Sequence, residues 1–163
     1  MSSYEVGENK KKTISYWDKK IVGNGGVLNN YIKYRDAVDL DENGKPICEC
    51  ITCGKRISGR NLHAGHYIRR AIRSTRYDER NLAAQYAGCN NYKSGEPVVF
   101  RQRLMDQYGQ DTVEELEEMM NHELAGNPRK WKTWELEEVY NDYRGALRFA
   151  KNIPIKSLKS KEK

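Results

Sequence analysis

The chain has 163 residues, 37% of them hydrophobic, and a mean hydropathy of −0.94, which suits one domain with a modest core and some solvated chain. Lysine and arginine outnumber aspartate and glutamate 29 to 23, and this balance favours a polyanionic partner such as nucleic acid. No apolar run reaches the length of a secretory signal or a membrane span, so we predict a cytoplasmic protein with no membrane partner.

The first part of the chain predicts an N-terminal helical region after a polar segment. Residues 1–12 are lysine-rich and predict a disordered basic arm. Helical patterns follow in "SYWDKK" and "VLNNYIKYRDAV", and "GNGG" separates them because glycine disfavours helix. After the turn-rich "DLDENGKP", glycine-punctuated short segments up to about residue 95 predict small hairpins.

The last third of the chain predicts helices. "PVVFRQRLMDQYG" starts with proline and ends with glycine, as helices do. Asp111 is a candidate cap for "DTVEELEEMMNHE", and Thr133 for a final helix with an apolar stripe of ordinary packing surface. Residues 153–163 predict a basic disordered tail, which leaves residues 13–152 as a single domain.

Three cysteines have the spacing of a zinc-knuckle-type site. Cys50 and Cys53 form a CxxC pair, which lets one tight turn present two thiolates to an ion, and Cys89 stands where a second pair would end. In a reducing compartment such cysteines are more often metal ligands than disulfides. The position three residues before Cys89 holds Tyr86. Zinc is therefore a candidate cofactor, and buried cysteines without metal are the alternative.

Two of the three histidines lie in "HAGH". At a spacing of three on a strand, His63 and His66 would point to opposite faces, whereas a bulge at Ala64 and Gly65 would bring both to one site. The alternative is a buried structural His66 and an exposed His63. His122 lies in an acidic helical segment and is interpreted as a surface residue.

Positive charge is concentrated near these motifs. Residues 55–80 hold eight basic and two acidic residues, a local balance of +6. The planar guanidinium group binds phosphate with two hydrogen bonds, so this segment predicts DNA contacts, with a solvated arginine-rich loop as the alternative. The predicted nucleic-acid-binding residues are Arg69, Arg70, Arg73, Arg76 and Arg80.

The motifs "CITCG", "HAGHYI", "RYDERNLAAQ" and "CNNYKSG", in this order, resemble the phage NinG/Rap family of recombination endonucleases, a branch of the HNH (ββα-metal) nucleases. The similarity runs from about Tyr16 to Asn152. It implies an α+β fold with a small HNH-like ββα-metal core at about residues 46–110, between an N-terminal helix and C-terminal helices. It also implies a metal-dependent DNA endonuclease for branched recombination intermediates such as D-loops and Holliday junctions, acting in the host cell cytoplasm.

The resemblance assigns a role to each site residue. His66 would be the general base that takes a proton from water, and Asn81 would brace the loop and orient that imidazole. Asn90 would bind the catalytic divalent ion, with His63 where relatives have an aspartate. Imidazole is a better ligand for zinc, nickel or manganese than for magnesium, so the identity of the catalytic ion is left open. On physical grounds, Lys93 would add positive charge at the transition state.

A second departure from the family concerns the cysteine site, because relatives have cysteine where this chain has Tyr86. Cys48 lies two residues before Cys50 and could approach the ion from the same strand face. Water, the Tyr86 phenolate or no metal at all are the other possibilities, with the tyrosine ring packing in the space.

Two other functions remain open at this stage. One is a non-catalytic, zinc-ribbon-like DNA-binding module, and the other is an HNH enzyme for unbranched DNA. Cutting a symmetric junction needs paired active sites, which makes a homodimer a further expectation.

Overall fold

A computed structural model of the chain describes residues 12–153 and residue 155. The predicted arm and tail fall almost wholly outside the described residues. The helices are α1 (Ile14–Val22), α2 (Val27–Arg35), α3 (Ala87–Tyr92), α4 (Pro97–Tyr108), α5 (Gln110–Leu124) and α6 (Thr133–Asn152). The strands are β1 (Ala37–Leu40), β2 (Pro46–Glu49), β3 (Arg56–Ser58), β4 (Leu62–His66) and β5 (Leu82–Tyr86). The predicted α+β class is confirmed.

The strands form two small antiparallel sheets. One has the order β1-β2-β3, and the other pairs β4 with β5. The register of the second sheet runs without interruption from Leu62 opposite Tyr86 to His66 opposite Leu82. Of the two alternatives for "HAGH", the bulge at Ala64 and Gly65 is therefore wrong, because every residue of β4 has its own partner, and the regular strand is correct. Helix α3 begins immediately after β5, so this region has the order strand, strand, helix.

The predicted break between the first two helices is confirmed. Thr13 Oγ1 accepts from the N–H of Tyr16 and so caps α1, and the helix ends at residue 22, before the glycines. Helices α1, α2 and α6 pack around a common core, whose fully buried aliphatic side chains are Ile21, Val22, Leu28, Ile32, Leu82 and Leu136. This core fixes the position of α2 against the second sheet.

The C-terminal helices are confirmed, with differences at two caps. Helix α5 begins at Gln110, so Asp111 lies in its first turn instead of capping it. Helix α6 begins at Thr133, and Lys132 is its cap, because the Glu135 carboxylate accepts from the Lys132 N–H at 2.7 Å. None of the described helices has the length and apolar character needed to cross a membrane.

Candidate functional site

The turn after β2 and helix α3 bring three cysteines together. The Sγ atoms of Cys50, Cys53 and Cys89 lie within 4.8 Å of one another. The turn closes through a 2.8 Å hydrogen bond from the Gly54 N–H to the Cys50 carbonyl, and Gly54 has a φ of 71°, which favours glycine. Cys50 and Cys89 are buried and Cys53 is exposed. This cluster has the composition of a site for zinc or a similar soft ion.

Hydrogen bonds prepare one of these sulfurs to be a thiolate. Burial alone would raise the pKa of Cys50, but bonds from the Thr52 hydroxyl and from backbone N–H groups, including that of Tyr86 at 3.2 Å, lower it to about 7. Burial raises the pKa of Cys89 to about 11. A bound cation would favour loss of that proton, so the residues fit a metal whose binding releases protons.

The structure separates Cys48 from this cluster, so the suggestion that it is the fourth ligand is wrong. Its Sγ donates to the Lys33 carbonyl at 3.1 Å, and burial raises its pKa to about 12. Tyr86 contributes its backbone N–H to Cys50, while its ring lies 4.7 Å from the Lys55 ammonium. Tyr86 also packs against the buried cluster that includes Cys50 and Cys89.

Helix α3 also brings Asn90 to strand β4. The Asn90 amide donates to His63 Nδ1 at 3.1 Å, so these two predicted ligands of the catalytic ion touch. Burial, followed by the charge of Lys33, lowers the pKa of His63. Apart from the cysteine cluster, the described residues contain no group of three histidine, cysteine or acidic ligands, so a cation here would have few protein ligands.

His66 lies at the end of β4, and the regular register turns it to the face opposite His63. Its Nε2 is 3.1 Å from the Arg76 carbonyl oxygen. Because a carbonyl only accepts, Nε2 carries the proton, and Nδ1 keeps a free lone pair. Burial, helped by the charges of Arg70 and Arg76, lowers the pKa of His66 to about 4. The imidazole is therefore neutral at pH 7.

Asn81 is fully buried and holds the loop between β4 and β5. Its Oδ1 accepts from the Ile68 N–H at 2.7 Å, and its Nδ2 donates to the carbonyls of Ile68 and Thr75 at 3.0 and 3.1 Å. Its own carbonyl accepts from the Tyr67 N–H. These bonds fix the loop directly after His66, and their partners are backbone groups of Tyr67, Ile68 and Thr75, not the imidazole.

Gln85 accounts for the glycine of "HAGH", and it was not identified as a site residue from the sequence. It is fully buried, and a Cβ at Gly65 would collide with its Oε1. Its Nε2 donates to the Gly95 carbonyl at 2.8 Å and to Thr52 Oγ1 at 3.4 Å. The one available signal was a long polar residue in the otherwise apolar strand "LAAQY". Gln85 links the cysteine turn to the strand that carries both histidines.

A cavity of about 390 Å³ joins predicted residues that are far apart in the chain. Its lining includes His66, Asn90, Arg69 and Arg70, together with Asn29 of α2. His63 does not line this cavity. It is connected to the cavity through Asn90, which lines the cavity and donates a hydrogen bond to His63. An imidazole with a free nitrogen, an amide and two cations around one cavity can bind and position an anion such as a phosphate.

The five predicted DNA-binding arginines divide into two groups. Arg76 pairs with Asp18 at 2.7 Å, and Arg80 pairs with both Asp78 and Glu115 at 2.7 Å. In the described part of the chain, the other three are exposed and make no ion pair; these are Arg69, Arg70 and Arg73. The structure therefore gives Arg76 and Arg80 a structural role and leaves three cations for a ligand.

Lys93 does not line the His66 cavity. Its ammonium group pairs with Glu96 at 3.0 Å, and this hydrogen bond raises its pKa. The side chain is 61% exposed, at the C-terminal end of α3. This position does not support the predicted role at the transition state, because the cation is held by Glu96 outside the cavity.

Comparison with known proteins identifies the relatives of this chain. The family described as "Bacteriophage Lambda NinG protein" matches residues 2–153. The chain belongs to the NinG family. It is 34% identical over 142 residues to protein ninG of Escherichia phage 933W and 33% identical over 142 residues to that of Escherichia phage lambda, covering 86% of this chain in each case. Protein ninG of Salmonella phage P22 is 33% identical over 138 residues, or 84% of this chain.

The NinG proteins in these comparisons are longer than this chain. The matched regions cover 61% of the 933W protein, 60% of the lambda protein and 59% of the P22 protein, so the chain spans about three fifths of their length. No solved structure matches the chain. Of the predicted resemblance, membership of the NinG family is confirmed, and the relatives' names state no endonuclease activity.

Proposed function

We propose that this chain is a metal-dependent DNA endonuclease with an HNH-like ββα centre. The observation that carries the proposal is the cavity lined by His66, Asn90, Arg69 and Arg70. It combines a neutral base with cations that suit a phosphodiester. The order β4, β5, α3, with the histidines on the first strand and Asn90 on the helix, supports the same proposal.

His66 is the proposed general base. Its Nε2–H is held by the Arg76 carbonyl, which fixes the tautomer and the ring and leaves Nδ1 to accept a proton from water. A pKa of about 4 keeps the imidazole neutral at pH 7, and the negative charge of a bound phosphate would raise this pKa and so strengthen the base. The positive charge that forms on the ring remains close to the cavity where the phosphate binds.

His63 and Asn90 are the proposed ligands of the catalytic ion. The pair supplies one imidazole nitrogen and one amide oxygen, and this donor set fits manganese, nickel or zinc better than magnesium. When bound, a divalent ion would stabilise negative charge on the phosphate and the leaving oxygen. The residues themselves orient each other, because the Asn90 amide is turned toward His63.

Branched DNA is the proposed substrate, following the family resemblance, with two chains acting together on a symmetric junction. Arg69 and Arg70 would bind backbone phosphates beside His66, and Arg73 would extend that contact. A second candidate is a DNA-binding module without activity. It is favoured by the absence, among the described residues, of a histidine and carboxylate cluster beside His63.

The test is cleavage of a labelled four-way junction and a linear duplex of the same length, with magnesium, manganese, nickel or zinc. We expect His66→Ala to lose at least about 100-fold in rate while its DNA affinity stays close to wild type. His122→Ala, at an exposed position, is the matched control and should cleave normally. If His66→Ala cleaves like wild type, the assignment of His66 as general base is wrong. If folded wild-type protein binds DNA but cleaves it with none of the four metals, the DNA-binding module without activity is the correct function.

A further inference from the structure

The cysteine cluster has three sulfur ligands, and we propose that the Thr52 hydroxyl completes it as a fourth, oxygen ligand. The chain would then hold a divalent ion in a site of three thiolates and one neutral oxygen. This inference concerns the cysteine site alone and does not depend on nuclease activity.

The position of the Thr52 side chain carries the proposal. Thr52 lies between Cys50 and Cys53 and is only 8% exposed, although most threonines are exposed. Its Oγ1 is 3.3 Å from Cys50 Sγ. Zinc–sulfur and zinc–oxygen bonds of about 2.3 and 2.1 Å give neighbouring corners of a tetrahedron about 3.6 Å apart. The 3.3 Å separation of the Thr52 hydroxyl from Cys50 Sγ is close to that spacing.

A second buried group holds that hydroxyl in place. Gln85 Nε2 donates to Thr52 Oγ1 at 3.4 Å and is itself anchored on the Gly95 carbonyl at 2.8 Å. One lone pair of the hydroxyl is used by Gln85, which leaves the second lone pair and the proton for the cluster. Outer groups that orient a ligand in this way are common around protein metal sites.

The other candidates for the fourth position are engaged elsewhere. Cys48 donates its thiol to the Lys33 carbonyl, and Tyr86 offers Cys50 its backbone N–H while its ring lies against Lys55. A neutral oxygen also leaves one negative charge on a site of three thiolates and a divalent ion, against two for four thiolates. With Thr52 as the fourth ligand, the site is four-coordinate and carries less negative charge than a site of four thiolates.

Cobalt(II) titration of the metal-free full chain under reducing conditions tests this assignment. The sulfur-to-cobalt absorption counts thiolates, and the d–d bands report the geometry and the fourth ligand. We expect wild type to show three thiolates and tetrahedral d–d bands. Thr52→Val should keep three thiolates, shift the d–d bands and weaken cobalt binding by at least about tenfold. Thr52→Ser, which keeps the hydroxyl, should resemble wild type.

Thr52→Cys is the gain-of-ligand variant. If the side chain points at the ion, the new thiolate should raise the sulfur-to-cobalt absorption to that of four thiolates and tighten binding. Cys48→Ser, the matched loss of a neighbouring thiol, should leave the spectrum unchanged. The proposal is wrong if Thr52→Val has the wild-type spectrum and affinity, if Thr52→Cys adds no absorption, or if wild type binds no cobalt or binds it with four thiolates.

Discussion

The two candidate metal sites of this chain differ in how far their ligand atoms are already arranged to bind an ion. In the cysteine cluster, three sulfurs lie within 4.8 Å of one another and Cys50 accepts hydrogen bonds that favour its thiolate. At the other site, His63 and Asn90 use their polar atoms on each other, and His66 lies in a neighbouring cavity. The three sulfurs of the cysteine cluster are already close enough to share one ion, whereas the polar atoms of His63 and Asn90 bind each other and His66 lies on the opposite face of its strand.

Strand β5 connects these two sites. Gln85 lies opposite His63 in the register and donates to Thr52 in the cysteine turn, while the Tyr86 N–H bonds to Cys50. A change in the cysteine cluster would therefore reach the strand that carries the histidines through a few hydrogen bonds. The comparison predicts that stability depends most on the cysteine site and activity most on the histidine site.

The largest expected effect is loss of a cysteine ligand. Cys89→Ser should remove most bound zinc and lower the free energy of unfolding by several kcal/mol, because a structural zinc site contributes on the order of 10 kcal/mol to folding. Elemental analysis per chain and thermal unfolding, with and without a chelator, measure both effects. The metal site would be refuted if wild-type protein contained no zinc and its thermal unfolding were the same with and without the chelator.

The second effect concerns the loop beside His66. Asn81→Ala removes three buried side-chain hydrogen bonds and leaves their backbone partners unsatisfied, so we expect a loss of roughly 3–5 kcal/mol. Urea unfolding measures this loss, and hydrogen exchange should show faster exchange in the loop, including Ile68. Asn61→Ala, at an exposed position, is the control and should lie within about 0.5 kcal/mol of wild type. Equal stability of the two variants would contradict the bracing role.

Local patterns in the sequence predicted much of the fold and one of the two sites. The glycine-rich segment 23–26, Pro97 and Gly109 mark helix ends through backbone preferences that act within a few residues. The CxxC spacing likewise predicts a turn whose geometry is local. Helix α3 was missed in the residue patterns, because its six residues are too few to show a helical period.

Properties that depend on distant partners could not be predicted. Cys48 has the spacing of a ligand, but the carbonyl that accepts a hydrogen bond from its thiol belongs to Lys33, which no spacing rule connects with it. The roles of Thr52 and Gln85 depend on a contact between a turn and a strand more than 30 residues apart. Charge along the chain similarly predicted a basic segment without showing which cations are already paired.

The smallest expected effect separates those paired cations from the free ones. Arg76→Ala removes a partly buried ion pair with Asp18 and a hydrogen bond to the Arg70 carbonyl, so it should cost roughly 1–2 kcal/mol of stability. Arg70→Ala removes an exposed cation of the His66 cavity. It should leave stability within about 0.5 kcal/mol of wild type while weakening DNA binding and lowering its salt dependence by about one counterion.

Urea unfolding and DNA titrations at several salt concentrations give the two quantities for both variants. Because Arg76 also holds His66 Nε2 through its backbone carbonyl, which alanine keeps, Arg76→Ala tests the side chain without removing the bond that fixes the imidazole. If Arg76→Ala reduced the salt dependence as much as Arg70→Ala, its guanidinium would leave Asp18 to bind phosphate. The division between structural and DNA-binding arginines would then be wrong.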